Sequence, residues 1–124
     1  MWIFTKVGLI MPAAIPPAAS RSVRKQYELQ IRAREREHLE AFINEYMPEG
    51  SASEIVQIPD SDYEHRFYCT RNDFAYAINL AVLEIDYAKF KPECKEPRYH
   101  NLLNRIWEVV FLHKNKKTYE PLWD

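Results

Sequence analysis

The chain has 124 residues, 47% of them apolar and 28% charged, a composition that supports a buried core and excludes an intrinsically disordered chain. Its 17 basic and 18 acidic side chains leave a net charge of −1, which excludes an overall field for nucleic acid or an anionic membrane and leaves only local patches. Two glycines are too few for a glycine-built phosphate loop, and no apolar run approaches the ~20 residues that cross a bilayer.

Trp2 to Leu9 is rich in β-branched and aromatic residues and predicts a first strand with two apolar faces. Lys6 followed by Val7 to Ala14 loosely imitates a secretory signal, but Pro12, Pro16 and Pro17 break the apolar helix such a signal needs. Pro12 to Val23 has no periodicity and reads as a long exposed loop, a candidate functional surface. Tyr27, Leu29, Ile31 and Ala33 then alternate with Glu28, Gln30, Arg32 and Arg34, the pattern of a half-buried strand. The period switches at Leu39, Phe42, Ile43, Tyr46 and Met47, which share one helical stripe ending near Pro48 and Gly50.

Glu54 to Ile58 and Tyr63 to Cys69 read as a hairpin whose turn is Pro59-Asp60-Ser61-Asp62. Thr70 is the expected cap of a second helix with Phe74, Ala77, Ile78, Ala81, Val82 and Ile85 on its buried stripe. Asp86 to Pro97 is a polar connection, and Tyr99, Leu102, Leu103, Ile106, Trp107 and Val110 make a third amphipathic helix. These elements predict one α+β domain over residues 1–113 and a C-terminal tail over 114–124. The expected architecture is a single antiparallel four-stranded sheet with helices on one face, ferredoxin-like and circularly permuted so that the first strand takes the place of the usual last one. Leu39, Phe42, Phe74, Ile78, Val82, Leu103, Ile106 and Trp107 are then expected in one core.

The opening Met1-Trp2-Ile3-Phe4-Thr5-Lys6-x-Gly8, the block Ile31-Arg32-Ala33-Arg34, Asp62-Tyr63 with Arg66, the run Ile85-Asp86-Tyr87-x-x-Phe90-Lys91 and Trp107 resemble a family of small bacterial proteins without an assigned activity. Members usually follow the glycine with Phe-Phe-Ser, where this chain has Leu9, Ile10 and Met11. The resemblance implies a cytoplasmic domain and transfers no catalytic residue.

Cys69 and Cys94 form neither a disulfide framework nor a paired-thiol metal knuckle, and read as reduced thiols of a cytoplasmic protein. Cys94 with His100 is the one nucleophile and base pair worth naming, without an evident oxyanion donor, so no catalytic residue is assigned. Glu35-x-x-His38 has the spacing of a di-iron ligand pair but no second copy, and His38 reads as a surface residue. The acidic turn Asp60-Ser61-Asp62 with Glu64 offers too few ligands for a cation. No metal and no cofactor is expected.

Two surfaces are left. Arg32, Arg34, Arg66 and Tyr68 fall on the polar side of two strands, where guanidinium and aromatic groups suit RNA or a nucleotide, especially if Trp2 and Phe4 share that side. Glu28 and Glu64 on the same side instead suggest cross-strand ion pairs. Tyr87, Phe90, Tyr119, Leu122 and Trp123 are aromatic and apolar residues outside the expected core, as at a protein-docking patch. The sequence thus favours a non-enzymatic module that docks on a protein partner or on itself as a homodimer, ahead of an RNA- or nucleotide-binding sheet and an unrecognised hydrolase, with no membrane partner.

Overall fold

The computed structural model describes residues 1–114. These form one antiparallel five-stranded sheet and five helices, so the fold is α+β as expected, with one strand more. The chain divides into two compact units, Met1–Asp86 and a second beginning at Tyr87.

The additional strand comes from a turn inside the first expected one: Ile3–Thr5 is β1 and Gly8–Ala14 is β2, paired as a hairpin through Ile3↔Ile10, Phe4↔Leu9 and Thr5↔Gly8. The buried Thr5 hydroxyl ties this turn. It accepts from the N–H groups of Val7 (3.2 Å) and Gly8 (3.1 Å) and donates to the Gly8 carbonyl (2.9 Å). Pro12 therefore lies within a strand rather than opening a loop. The Leu9 N–H points away from β1, to His38, so alternation aims the even-numbered positions towards β1, whose pairing has ended at Ile10. The N–H that proline lacks would have had no partner there.

The remainder of the expected loop holds a short helix, α1 (Arg21–Gln26), capped by the Ser20 hydroxyl, which accepts from Val23 N–H. Strand β3 (Leu29–Ala33) keeps its expected alternation on the core side, with Leu29, Ile31 and Ala33 buried. Helix α2 (Arg36–Tyr46) lays Leu39, Phe42 and Tyr46 on the sheet. The hairpin that follows is shorter than expected, β4 (Val56–Gln57) and β5 (His65–Cys69), because Asp60 takes a left-handed φ of 65° and Ser61 bonds the carbonyls of Ile58 and Tyr63. The strands lie in the order β1-β2-β3-β5-β4, every pair antiparallel.

Helix α3 (Arg71–Leu83) starts where the cap was expected, with the Thr70 hydroxyl accepting from Asp73 N–H at 3.2 Å. Phe74 and Ala77 reach the core, Phe74 meeting Phe42 at 5.8 Å between ring centroids, and Ile78 and Ala81 pack against it half-buried, so the expected stripe holds as far as Ala81. Val82 and Ile85 are exposed, contrary to expectation. The first unit's core is Ile10, Leu29, Ile31, Ala33, Leu39, Phe42, Phe67, Cys69 and their neighbours, all on one side of the sheet.

In the second unit the expected polar connection contains a single helical turn, α4 (Phe90–Glu93), and α5 runs Pro97–Lys114. Pro97 suits a first helical position, and the Glu96 carboxylate accepts from the N–H groups of Arg98 and Tyr99 at 2.9 and 2.7 Å. Tyr99 and Leu103 are buried, whereas Trp107, expected in the core, is 54% exposed.

Candidate functional site

Strand register defines the sheet face away from α2 and α3. Gln30↔Tyr68 and Arg32↔Arg66 are directly opposite pairs of β3 and β5, and Met11↔Arg32 and Ala13↔Gln30 carry the same face onto β2. Phe4 shares it, being opposite Leu9, and Trp2 just ahead of β1 is exposed. The structure thus brings Arg32, Arg66 and Tyr68 onto one face as the alternation predicts, with Arg34 immediately past the end of β3.

The guanidinium groups are organised around Tyr63. Arg32 Cζ stands 4.6 Å and Arg34 Cζ 5.4 Å from the centroid of that one ring, a cation–π arrangement for both. Each side chain is also tethered at Nε, Arg32 donating to the Met11 carbonyl (3.2 Å) and Arg34 to the Asp62 carbonyl (3.3 Å). Arg66 donates from Nη1 to Gln30 Oε1 (2.8 Å) and from Nη2 to the Tyr63 carbonyl (3.0 Å), while its Nε is enclosed without an acceptor. Gln30 in turn donates to the Ala14 carbonyl at 3.0 Å and is buried, so the layer is fixed from below.

The carboxylates expected to neutralise this face are engaged elsewhere, which overturns the ion-pair reading. Glu28 accepts from the Arg71 N–H and pairs with its guanidinium at 3.7 Å, and Glu64 accepts from Gln57. Among the described residues none of Arg32, Arg34 and Arg66 has an acidic side chain within ion-pair distance. Like charges directly opposite across strands, as Arg32 and Arg66 are, destabilise a sheet. Beside them Tyr68 stacks on Tyr27 at 6.3 Å, with 23° between the ring planes. Tyr63 and Tyr27 were not anticipated. In the expected strands alternation puts Tyr63 on the side of Phe67 and Tyr27 on the side of Leu29, both towards the core, but Tyr63 precedes β5 and Tyr27 precedes β3.

Of the aromatic residues expected at a docking patch, Tyr87 and Phe90 are half-buried and in contact at 5.9 Å between centroids. Tyr119, Leu122 and Trp123 lie outside the described residues. Among the described residues of the second unit, Leu102, Trp107, Val109, Val110, Phe111 and Leu112 of α5 are also open, Val110 by 62%. Their signal was present in Ile106-Trp107-Glu108-Val109-Val110-Phe111-Leu112, which is apolar on nearly every side of a helix.

Burial disfavours the thiolate form of both cysteines. Burial pushes Cys69 up to about 12, with Asp73 and Glu28 adding to the rise, and burial likewise raises Cys94. The Cys94 thiol is directed at the Phe90 carbonyl (3.5 Å) and His100 Nδ1 at the Lys91 carbonyl (2.9 Å), so the pair is not arranged for proton transfer between its members. His38, expected on the surface, is buried, and its Nδ1 accepts from Leu9 N–H at 3.2 Å. No cluster of three or more His, Cys, Asp or Glu able to hold a metal, and no helix long and apolar enough to cross a membrane, occurs among the described residues. No protein-family model, curated protein or solved structure matches the chain.

Proposed function

We propose that the protein is a small non-enzymatic interaction module that docks through protein contacts, and that its partner is a second copy of the same chain. The observation carrying this reading is the C-terminal half of α5, where Trp107, Val109, Val110, Phe111 and Leu112 are exposed together. Consecutive positions point to different sides of a helix, and a helix apolar all round belongs in a buried setting. Two copies laid against each other here cover one another in a self-complementary two-fold interface, and a net charge of −1 per chain gives little repulsion between them. Trp107 and Phe111 stack at 5.1 Å and 12°, a rigid aromatic centre, with Lys91 and Lys114 over their rings as a charged rim. Tyr87 and Phe90 join this surface in the proposal, and Tyr119, Leu122 and Trp123 belong to it by sequence alone.

The finer fold and the compartment belong to the same reading. The order β2-β3-β5-β4, with α2 following β3 and α3 following β5, supports a ferredoxin-like sheet permuted at its first strand and extended by β1. Two free buried cysteines support a reducing, cytoplasmic setting, in line with the family resemblance of the opening motif.

Light scattering across a concentration series tests the partner. The full chain and a chain truncated after Lys117 are expected to form dimers, and the double variant Val110→Glu, Phe111→Glu is expected to stay monomeric. A full chain that is monomeric at every concentration overturns the reading, as does a double variant that still dimerises.

A further inference from the structure

We propose that the sheet face built on Arg32, Arg34 and Arg66 binds the phosphodiester backbone of a single-stranded nucleic acid, independently of the α5 surface. The starting point is an electrostatic imbalance. Three guanidinium groups share this face, two of them directly opposite across β3 and β5, and among the described residues no carboxylate stands within ion-pair distance of any. An arrangement of like charges that costs stability is relieved by an anion placed between them.

The donors are also presented in a usable form. Arg32 and Arg34 are held at Nε and against the Tyr63 ring, and their Nη groups make no hydrogen bond among the described residues. A guanidinium fixed at its Nε end leaves a planar fork that matches two oxygens of one phosphate. The two guanidinium groups come from different positions, Arg32 on β3 and Arg34 just past its end, so each offers its own fork beside the shared Tyr63 ring. Further along the same ladder lies the Tyr27–Tyr68 stack, both rings half-buried.

Aromatic rings in line with phosphate donors favour a nucleic-acid strand over free phosphate or an acidic peptide, because a base has a π-face to stack and a carboxylate has none. The face offers no helix for a major groove and its aromatic surface needs unpaired bases, which points to a single strand. Tyr63 is not the stacking platform, since both arginines already occupy its ring.

Fluorescence anisotropy of a labelled oligouridylate, titrated with the full chain at several salt concentrations, tests the proposal. The unmodified chain is expected to bind at low salt. The double variant Arg32→Ala, Arg34→Ala is expected to weaken binding at least tenfold and to flatten the slope of log affinity against log salt by about 1.4, roughly 0.7 for each phosphate of a single strand that is no longer neutralised. Because the Arg32 bond to the Met11 carbonyl is part-buried and ties β3 to β2, whereas Arg34 is exposed and bonds only the turn carbonyl of Asp62, Arg34→Ala alone is the structurally milder variant, with an expected slope change of about 0.7. Tyr68→Leu is expected to weaken binding without changing the slope. Absence of binding at low salt, an unchanged slope in Arg34→Ala, or displacement of the oligonucleotide by polyglutamate or inorganic phosphate at equal charge concentration overturns the proposal.

Discussion

Gly8 and His38 are matched to each other. A Cβ at Gly8 would collide with the His38 ring, which is held in place by accepting the Leu9 N–H. Gly8→Ala is therefore expected to lower stability by about 2 kcal/mol, the usual cost of forcing extra volume into a packed site, as measured by urea denaturation. Gly50 sits in open space but has a left-handed φ of 75°, so Gly50→Ala is expected to cost about 1 kcal/mol through the backbone alone. Glu84 shows how charge enters at the same scale. It accepts from Lys6 and from the Tyr46 hydroxyl, both at 2.7 Å, and these bonds hold its carboxyl below the ordinary value of 4.5. A carboxyl depressed in the folded state stabilises fully above its unfolded pKa and loses that contribution as pH falls through the folded value. Tyr46→Phe is thus expected to cost more at neutral pH than at pH values below 4.5, and equal costs across a pH series of denaturation curves would contradict this. Cys69 is expected to resist alkylation at pH 8 in the native protein, since burial keeps its thiol protonated up to about 12.

At the scale of elements, Thr70 alone supplies the side-chain cap of α3. Thr70→Ala is expected to cost about 1 kcal/mol and Thr70→Ser much less, a contrast readable by thermal unfolding. This cap, the stripe of α2 and the alternation of β3 and β5 were legible in the sequence because each follows from local bonding or from a period set by one buried side. What escaped had no such signature. The β1–β2 turn contains no Asn-Gly or Asp-Gly pair and is fixed by three bonds of the Thr5 hydroxyl, which a reading of apolar residues from Trp2 to Leu9 does not register. Helix α1 buries no residue, so no periodicity betrays it. Pro12 reads as a breaker until the missing strand neighbour on its flank is known. On the candidate sheet face, alternation places Arg32, Arg66 and Tyr68 on one side, whereas the removal of Glu28 to Arg71 depends on segments 43 residues apart that only the fold brings together; the Gln57–Glu64 contact lies within the expected hairpin.

For the whole molecule, the first unit carries its own complete core, from Ile10 on β2 to Ala77 on α3. A chain ending at Asp86 is expected to unfold in one cooperative urea transition, and a gradual, non-cooperative loss of signal would show that this core needs the second unit. The outer strands of the sheet have a further consequence. β1 has three residues and β4 only two, so the sheet ends on both flanks in strands too short to template another chain. Strand-by-strand addition, the route by which an open sheet recruits copies without limit, therefore has almost no backbone to begin from. The self-complementary contact proposed for α5 would have the opposite character, since each copy would use up the surface it offers. Of the two ways an α+β chain assembles, the stunted flanks disfavour the one that grows into fibres and are compatible with the closed pairing proposed for α5.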